Sequence, residues 1–250
     1  MIITHPDVIR WFKPVLEDPL EHFGKNNRAR LRSTLNKIDE TTIRHTVAPV
    51  SEEFLDWFVP MYQARIEAKQ NPRVIDIADK ALYNARFSYL YLALFENETP
   101  LGATIFRYRT DELSIAWRTY EHSWVNERLQ ANPSLYTEYL ISKIAQEDGR
   151  KRICHGKDNN PYGVNSNIGL AAFKLSGGSH PELTKRYELV DTDTDQLETD
   201  ALILCTPESG ERVTKALLVI DKEGEASYQQ ILKTPAELLS IDILYRSTRN

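Results

Sequence analysis

The sequence has few of the residues that build metal or redox sites. It contains only two cysteines and six histidines in 250 residues, and neither set shows metal-ligand or Cys-x-x-Cys spacing. We therefore expect no metal, and we expect Cys154 and Cys205, which both lie in apolar runs, to be buried and reduced. No apolar run approaches the roughly 20 residues of a membrane span, and no secretory leader is recognisable. These absences predict a soluble, cytoplasmic protein without a membrane span.

The sequence also lacks an excess of basic residues and several catalytic motifs. Lys and Arg number 31 against 36 Asp and Glu, which gives a net charge of -5 and disfavours a broad grip on nucleic acid. The absence of G-x-S-x-G, G-x-x-x-x-G-K-[ST] and G-x-G-x-x-G argues against serine-hydrolase, P-loop and Rossmann chemistry. The hydrophobic share of 41% is enough for a substantial core.

Apolar residues recur at helical spacing in the first part of the chain, over residues 8–15, 31–38 and 55–66. Ser51 is placed to cap the third of these predicted helices, and Pro60 predicts a kink or a later start. Between the second and third, the β-branched run TTIRHTVAPV predicts a strand.

The middle of the chain predicts a three-stranded antiparallel meander over residues 88–96, 101–109 and 113–120, with turns at N-E-T-P and T-D-E. Asn132 and Pro133 then open a helix that ends at Gly149, and RKRICHG predicts another strand. A short helix begins at Ile168 and stops before the glycine pair 177–178. This order predicts an α+β fold, with a mixed, mainly antiparallel sheet flanked by helices.

From about residue 180 the sequence returns to strand-like runs, and TPAELL (residues 234–239) predicts a short helix among them. We expect one domain over residues 1–180 and a β-rich C-terminal extension over residues 181–250. The extension is expected to pack on the main domain, and a separate lobe is the alternative.

The most polar joint between two apolar elements lies between the strand RKRICHG and the helix from Ile168. Its side chains are candidates for binding a substrate: Lys157, Asp158, Asn160 and Asn167. Asn167 is placed to cap the helix, and free N–H groups at a helix start favour negative charge. Lys174 lies about two turns further on, after Phe173. On an amphipathic helix such a lysine usually reaches solvent and has no catalytic role.

Three further groups of residues are candidates. Lys25, Arg28 and Arg32 share a helix face and predict a phosphate clamp, with a solvated surface as the alternative. A tyrosine of the group around Tyr120 and Tyr136 could donate a proton to a leaving group, although most such tyrosines are core residues. Tyr136 is the candidate for that catalytic role, and Tyr120 is a candidate for binding the substrate. His155 and Asp158 are candidate general bases by position alone.

The middle of the chain resembles the GNAT N-acyltransferase fold, in particular its Fem-like branch of peptidoglycan-bridge aminoacyl transferases and polysaccharide-pathway acyltransferases. The resemblance covers residues 88–178, and NNRARLRSTLNK is similar to the basic early helix of that branch. The family motif begins with a glycine in a hairpin, here Gly102, and an aromatic residue at a strand end, here Tyr120. It continues with a glycine that ends a helix and one that ends a strand, here Gly149 and Gly156. It closes with Phe-Lys followed by glycine, here Phe173, Lys174 and Gly178.

The resemblance implies an N-acyltransferase that moves an acyl or aminoacyl group from an activated donor, acyl-CoA or an acyl-carrier thioester, to an amine. The acceptor would be a small molecule, a sugar or a peptide, and Lys174, beside Phe173, would stabilise charge on the carbonyl oxygen. The chain departs from ordinary GNAT enzymes at R-L-Q-A-N-P-S, where they carry a glycine-rich coenzyme A loop. Two alternatives stay open: a transferase that uses aminoacyl-tRNA, and a GNAT-like binding or scaffold module without catalysis.

Overall fold

The computed structural model describes residues 1–67, 76–77, 81, 88–121, 129–164 and 166–246. The helices and strands of these ranges are, in chain order, β1 Ile2–Pro6, β2 Val8–Pro14, α1 Lys25–Lys37, β3 Ile43–Pro49, α2 Glu52–Glu67, β4 Leu90–Glu96, β5 Thr99–Arg109, β6 Glu112–Tyr120, α3 Pro133–Glu147, β7 Arg152–Asn159, α4 Ile168–Ser176, β8 His180–Leu183, β9 Leu189–Asp193, β10 Ala201–Leu204, β11 Lys215–Ile220, α5 Gln229–Leu232 and β12 Ser240–Tyr245.

The chain forms two compact units. One, here called the continuous unit, comprises residues 15–153, and the other, the two-segment unit, comprises residues 1–14 and 154–250. The predicted boundary between residues 180 and 181 falls inside the two-segment unit, and the predicted domain organisation stays a prediction.

The continuous unit contains four antiparallel strands in the order β3-β4-β5-β6. Because side chains alternate along a strand, Leu92 and Leu94 of β4 pack in one cluster with α1 and α3, whereas Ala93 packs in another with α2. Helices therefore cover the sheet with apolar side chains on both faces. This confirms the predicted meander and the predicted α+β class.

The capping residues predicted from the sequence have their expected contacts. The backbone N–H of Phe54 donates to Ser51 Oγ at 3.2 Å at the start of α2, and α2 continues past Pro60 to Glu67. The N–H of Leu135 donates to Asn132 Oδ1 at 2.8 Å at the start of α3. A short polar side chain at the N-cap thus satisfies one of the free donors of each helix.

The two-segment unit contains β2 and β8 with most of β7, in the order β7-β2-β8, the pair β1-β9 and the three-stranded sheet β10-β11-β12. α4 lies in its core, where Ile168, Ala171 and Leu175 pack with Ile9 and Trp11 of β2. Among the described residues, no helix has both the length and the apolar character that a membrane crossing requires.

Two predicted helices are wrong. Residues 8–15 mostly form strand β2, whose two faces are both largely buried, so its apolar residues show no simple alternation and fit helical spacing by chance. Residues 234–239 contain no helix, and the short helix of this region is α5, Gln229–Leu232.

Candidate active site

The last turn of α4 places a lysine inside the two-segment unit. Asn167 begins the helix as predicted, because its Oδ1 accepts a hydrogen bond from the N–H of Gly169 at 2.6 Å. Lys174 lies on the same buried face as Ala171 and Leu175, and only 5% of it is exposed. Its ammonium is therefore withdrawn from bulk water, unlike that of a surface lysine.

A chain of short hydrogen bonds surrounds this ammonium. Lys174 Nζ donates to Asp158 Oδ2 at 2.6 Å, and the Tyr162 hydroxyl donates to the same oxygen at 2.6 Å. Trp11 Nε1 donates to the Tyr162 hydroxyl, also at 2.6 Å, and Lys174 Nζ lies 5.6 Å from the centroid of the Trp11 ring. These four residues, here called the lysine–aspartate cluster, hold the ammonium between a carboxylate and an aromatic face.

The cluster keeps its phenol protonated. Burial raises the pKa of Tyr162 well above its usual value, and the neighbouring charge of Asp158 raises it further, while the bond from Trp11 lowers it. The Tyr162 hydroxyl is thus a donor at neutral pH and orients the carboxylate that pairs with Lys174. A buried ion pair of this kind depends on such additional bonds, since removal of both charges from water is costly.

A glycine in β7 turns Asp158 toward α4. Arg10 and Trp11 are neighbours in β2 and therefore point to opposite faces of the sheet. Arg10 donates to Cys154 Sγ at 3.0 Å, whereas Asp158, four residues after Cys154, reaches the cluster that contains Trp11. Residues four apart in a regular strand share a face, so the alternation breaks between them, where Gly156 has a φ of 87°.

The other predicted residues of this joint lie outside the cluster. His155 is buried, Lys157 is exposed and Phe173 is half-buried. The Asn160 side chain donates to the carbonyls of Pro6 and Leu204 at 2.8 and 2.9 Å and accepts from the N–H of Leu204 at 3.0 Å. The structure thus gives Asn160 backbone partners, and its role in substrate binding stays a prediction.

The remaining predicted residues belong to the continuous unit. Lys25 and Arg32 are exposed on α1, whereas Arg28 is half-buried and donates to the carbonyl of Phe23 at 3.2 Å. Tyr120 is 5% exposed, its hydroxyl bonds to the hydroxyl of Thr104, and burial raises its pKa. Two of the three predicted cations are therefore directed to solvent.

Tyr136, the predicted catalytic residue of the continuous unit, is 6% exposed. It stacks on Tyr139 with ring centroids 6.5 Å apart and lines a cleft of about 230 Å³.

Sequence reasoning missed two members of the lysine–aspartate cluster. Tyr162 is the only aromatic residue of the polar joint, between Lys157 and Asn167, and that isolation was an available signal. Trp11 was assigned to a helix, which hid its position opposite α4. No group of three His, Cys, Asp or Glu side chains suited to a metal ion occurs in the described ranges.

No protein-family model and no curated protein sequence matches the chain. Among solved structures, FemX is similar at 15% identity and a TM-score of 0.51, over 71% of this chain and 60% of FemX. A C-terminal domain of a putative lysylphosphatidylglycerol synthetase from Agrobacterium fabrum is similar at 10% identity and a TM-score of 0.49, over 76% of this chain and 60% of that one. L-PGS from Bacillus licheniformis is similar at 18% identity and a TM-score of 0.42, over 62% of this chain and 46% of L-PGS.

The chain thus spans 60% or less of each of these three proteins. At such identities the likeness to FemX concerns the fold alone, and it confirms the Fem-like fold predicted from the sequence.

Proposed function

We propose that the protein is an N-acyltransferase that moves an acyl or aminoacyl group from an activated donor to an amine, with Lys174 as the residue that stabilises the developing negative charge. The observation that carries the proposal is the buried ion pair between Lys174 and Asp158, in a fold similar to that of FemX.

The reaction develops negative charge on the carbonyl oxygen, which a nearby cation stabilises. The amine nitrogen forms a bond to the carbonyl carbon, and the electron pair of the C=O bond moves to the oxygen. When this oxyanion collapses, the C–S bond of a thioester donor breaks, the thiolate leaves and the proton of the attacking amine passes to a base. A preorganised ammonium in a site of low dielectric stabilises the oxyanion far more than one in water does.

Asp158 and Tyr162 serve as positioning residues in this proposal. Asp158 fixes the ammonium by its 2.6 Å contact, and the Tyr162 hydroxyl fixes Asp158. Phe173 would contribute an apolar neighbour to the acyl group. We propose His155 as the general base. The roles predicted from the sequence for Tyr120 and Tyr136, which belong to the continuous unit, are not part of this proposal.

For the donor we propose a thioester of coenzyme A or of an acyl carrier. The phosphate contacts predicted for the exposed cations Lys25 and Arg32 stay a prediction. The net charge of -5 favours such a small donor over aminoacyl-tRNA, whose binding needs a broad basic surface. The proposed acceptor is the amine of a small molecule, a sugar or a peptide.

One observation favours a second candidate, a GNAT-like binding or scaffold module. The ammonium of Lys174 is already paired with a carboxylate inside the protein, as it would be if the pair were only structural. Donor binding separates the two candidates, because a ligand that binds the folded state raises its stability.

The experiment combines donor binding with transfer. Thermal unfolding is measured with a panel of acyl-CoA and acyl-carrier donors, and transfer to a panel of amines is followed by release of the free thiol. For Lys174→Met, which keeps the apolar stem and removes the charge, we expect kcat to fall by about 100-fold or more, the scale of one oxyanion contact.

Lys185→Met is the matched control, because Lys185 is an exposed lysine of the same unit and undergoes the same charge change. A folded Lys174→Met variant with unchanged transfer would disprove the role of the lysine. If neither a donor of the panel nor an aminoacyl-tRNA stabilises the wild type, the scaffold candidate replaces the enzyme. If aminoacyl-tRNA binds and its affinity falls steeply as the salt concentration rises, the result would favour aminoacyl-tRNA as the donor.

A further inference from the structure

The continuous unit contains a cleft that the proposed reaction does not use. It lies between the 3-10 turn after α1, the start of β3 and the first turn of α3. Its volume is about 230 Å³, and its lining residues are Ile38, Asp39, Ile43, Arg44, His45 and Tyr136. Sites for drug-sized molecules occupy about 300–1,000 Å³, so this cleft, here called the Asp39–Arg44 cleft, suits a smaller ligand.

A tyrosine that lines this cleft has a hydroxyl without a protein acceptor. Tyr136 is 6% exposed, and its hydroxyl has no hydrogen-bond partner among the residues that the structure describes. Burial raises its pKa, and the nearby Tyr139 and the carboxylate of Asp39 raise it further. The phenol therefore stays protonated, and its hydroxyl can donate a hydrogen bond to water or to a ligand.

Two opposite charges border the same cleft and do not neutralise each other. Within the described ranges, neither Asp39 nor Arg44 takes part in an ion pair. Arg44 Nη1 donates to the carbonyls of Thr41 and Ile43 at 2.9 and 2.8 Å, which fixes the guanidinium at the start of β3. The cleft thus presents one negative and one positive group, each suited to the opposite charge of a ligand.

His45 does not add a second positive charge at neutral pH. Burial lowers its pKa, and the positive charge of Lys143 lowers it further. Lys143 lies 3.7 Å from Glu147 on the solvent side of α3 and is 50% exposed. At neutral pH the cleft therefore presents one negative side chain and one positive side chain, which matches the two charges of a zwitterion.

An apolar slot adjoins the cleft. Ile43 and Tyr136 line both spaces, and Leu94, Leu101 and Leu129 are among the other walls of the slot, whose volume is about 10 Å³. This is about the space of one water-sized group. Because its walls are mainly apolar, apart from Thr34, the slot suits a methyl or methylene group and excludes a larger side chain.

From these observations we propose that the Asp39–Arg44 cleft binds a free α-amino acid with a small side chain. The ammonium of the ligand pairs with Asp39, its carboxylate accepts from Arg44 and from the Tyr136 hydroxyl, and its methyl group enters the mouth of the slot. The proposal rests on this cleft alone and does not depend on acyl transfer.

Isothermal titration calorimetry on the full chain at pH 7 tests the proposal. The probes are glycine, L-alanine and L-serine, with propionate and ethylamine, which each lack one of the two charges, and L-leucine, whose side chain exceeds the slot. For a ligand of about six heavy atoms we expect L-alanine to bind in the millimolar range or more tightly. We expect propionate, ethylamine and L-leucine to bind at least about tenfold more weakly.

Three variants test the assigned contacts: Asp39→Asn, Arg44→Gln and Tyr136→Phe. Each should weaken L-alanine about fivefold or more, since a partly exposed charge or hydrogen-bond contact contributes about 1 kcal/mol, which corresponds to that factor. Asp56→Asn is the matched control, because Asp56 is an exposed acid on α2 and undergoes the same charge change as Asp39, and it should bind like the wild type.

Two results would overturn the proposal: the absence of binding by any of the three small amino acids to the folded protein, or equal affinity in the wild type, Asp39→Asn and Arg44→Gln. Lys174→Met should retain amino-acid binding, so failure of the proposed transferase activity and failure of this site are distinguishable.

Discussion

The ion pair between Lys174 and Asp158 makes a quantitative prediction for stability. Lys174 is 5% and Asp158 10% exposed, and removal of one partner of a buried pair typically costs about 3–5 kcal/mol because the other charge stays buried. Asp158 keeps some contact with water, so we expect the lower end, about 3 kcal/mol, for Lys174→Met. For a protein of this size, that corresponds to a fall in Tm of about 6–12 °C.

A double-mutant cycle isolates the coupling between the two residues. Asp158→Asn removes the negative charge but keeps an oxygen that can accept from Tyr162, and the double variant removes both charges. We expect the double variant to be within about 1 kcal/mol of the wild type, since paired removal of buried charges is often neutral. If Lys174 also stabilises an oxyanion, the double variant regains stability without regaining acyl transfer.

Urea unfolding followed by tryptophan fluorescence and by far-UV circular dichroism is the appropriate measurement, because Trp11, one of the four tryptophans, belongs to the cluster. The physical account would be refuted if Lys174→Met unfolded within about 0.5 kcal/mol of the wild type. It would equally be refuted if the effects of the two single changes simply added in the double variant.

Two further predictions concern a glycine and a tyrosine. Gly102 has a φ of 139°, and a Cβ there would lie 2.4 Å from the carbonyl oxygen of Thr119. Gly102→Ala should therefore destabilise the folded protein by about 3 kcal/mol or more. Gly24→Ala is the control, because Gly24 has open space around it, and it should change the urea midpoint little. Burial and a bond to Asp200 raise the pKa of Tyr228 to about 12. A pKa that is higher in the folded state adds stability that is fully present below pH 10 and is lost as the pH rises to about 12. Tyr228→Phe should therefore reduce the decrease in unfolding free energy that the wild type shows over this pH range. An unchanged decrease would contradict this assignment.

Local signals predicted most of the fold. Ser51, Asn132 and Asn167 were assigned as helix caps because a short polar side chain preceded an apolar run, and each has the expected bond to a backbone N–H. The meander was also predicted correctly, because its strands and the turns between them all lie within one short stretch of sequence, residues 88–120.

Strand β2 shows what local reasoning could not supply. Its residues contact partners far along the chain, as in the hydrogen bond from Trp11 to Tyr162 across 151 positions. Lys13 is fully buried in this strand, which no period in the sequence indicates. Such a segment is defined by its neighbours on both faces, and these are set by tertiary structure.

The sequence predicted two residues of the candidate site and did not predict that they contact each other. Lys174 and Asp158 were both named, one through the Phe-Lys motif and the other by its position in a polar joint. That they form a pair depends on the break in alternation at Gly156, which a single sequence does not show. Tyr120 and Tyr136 were named together, but their hydroxyls have different surroundings: one bonds to Thr104, and the other borders a cleft.

The joint after β7 also shields a strand edge. Tyr162 exchanges two backbone hydrogen bonds of 2.9 Å with Leu202, and the Asn160 carboxamide satisfies both the N–H and the carbonyl of Leu204. An uncovered edge invites pairing with other chains and hence aggregation. A polar connection that imitates a neighbouring strand therefore protects β10 from self-association, and this gives the unusual polarity of that segment a purpose independent of any catalysis.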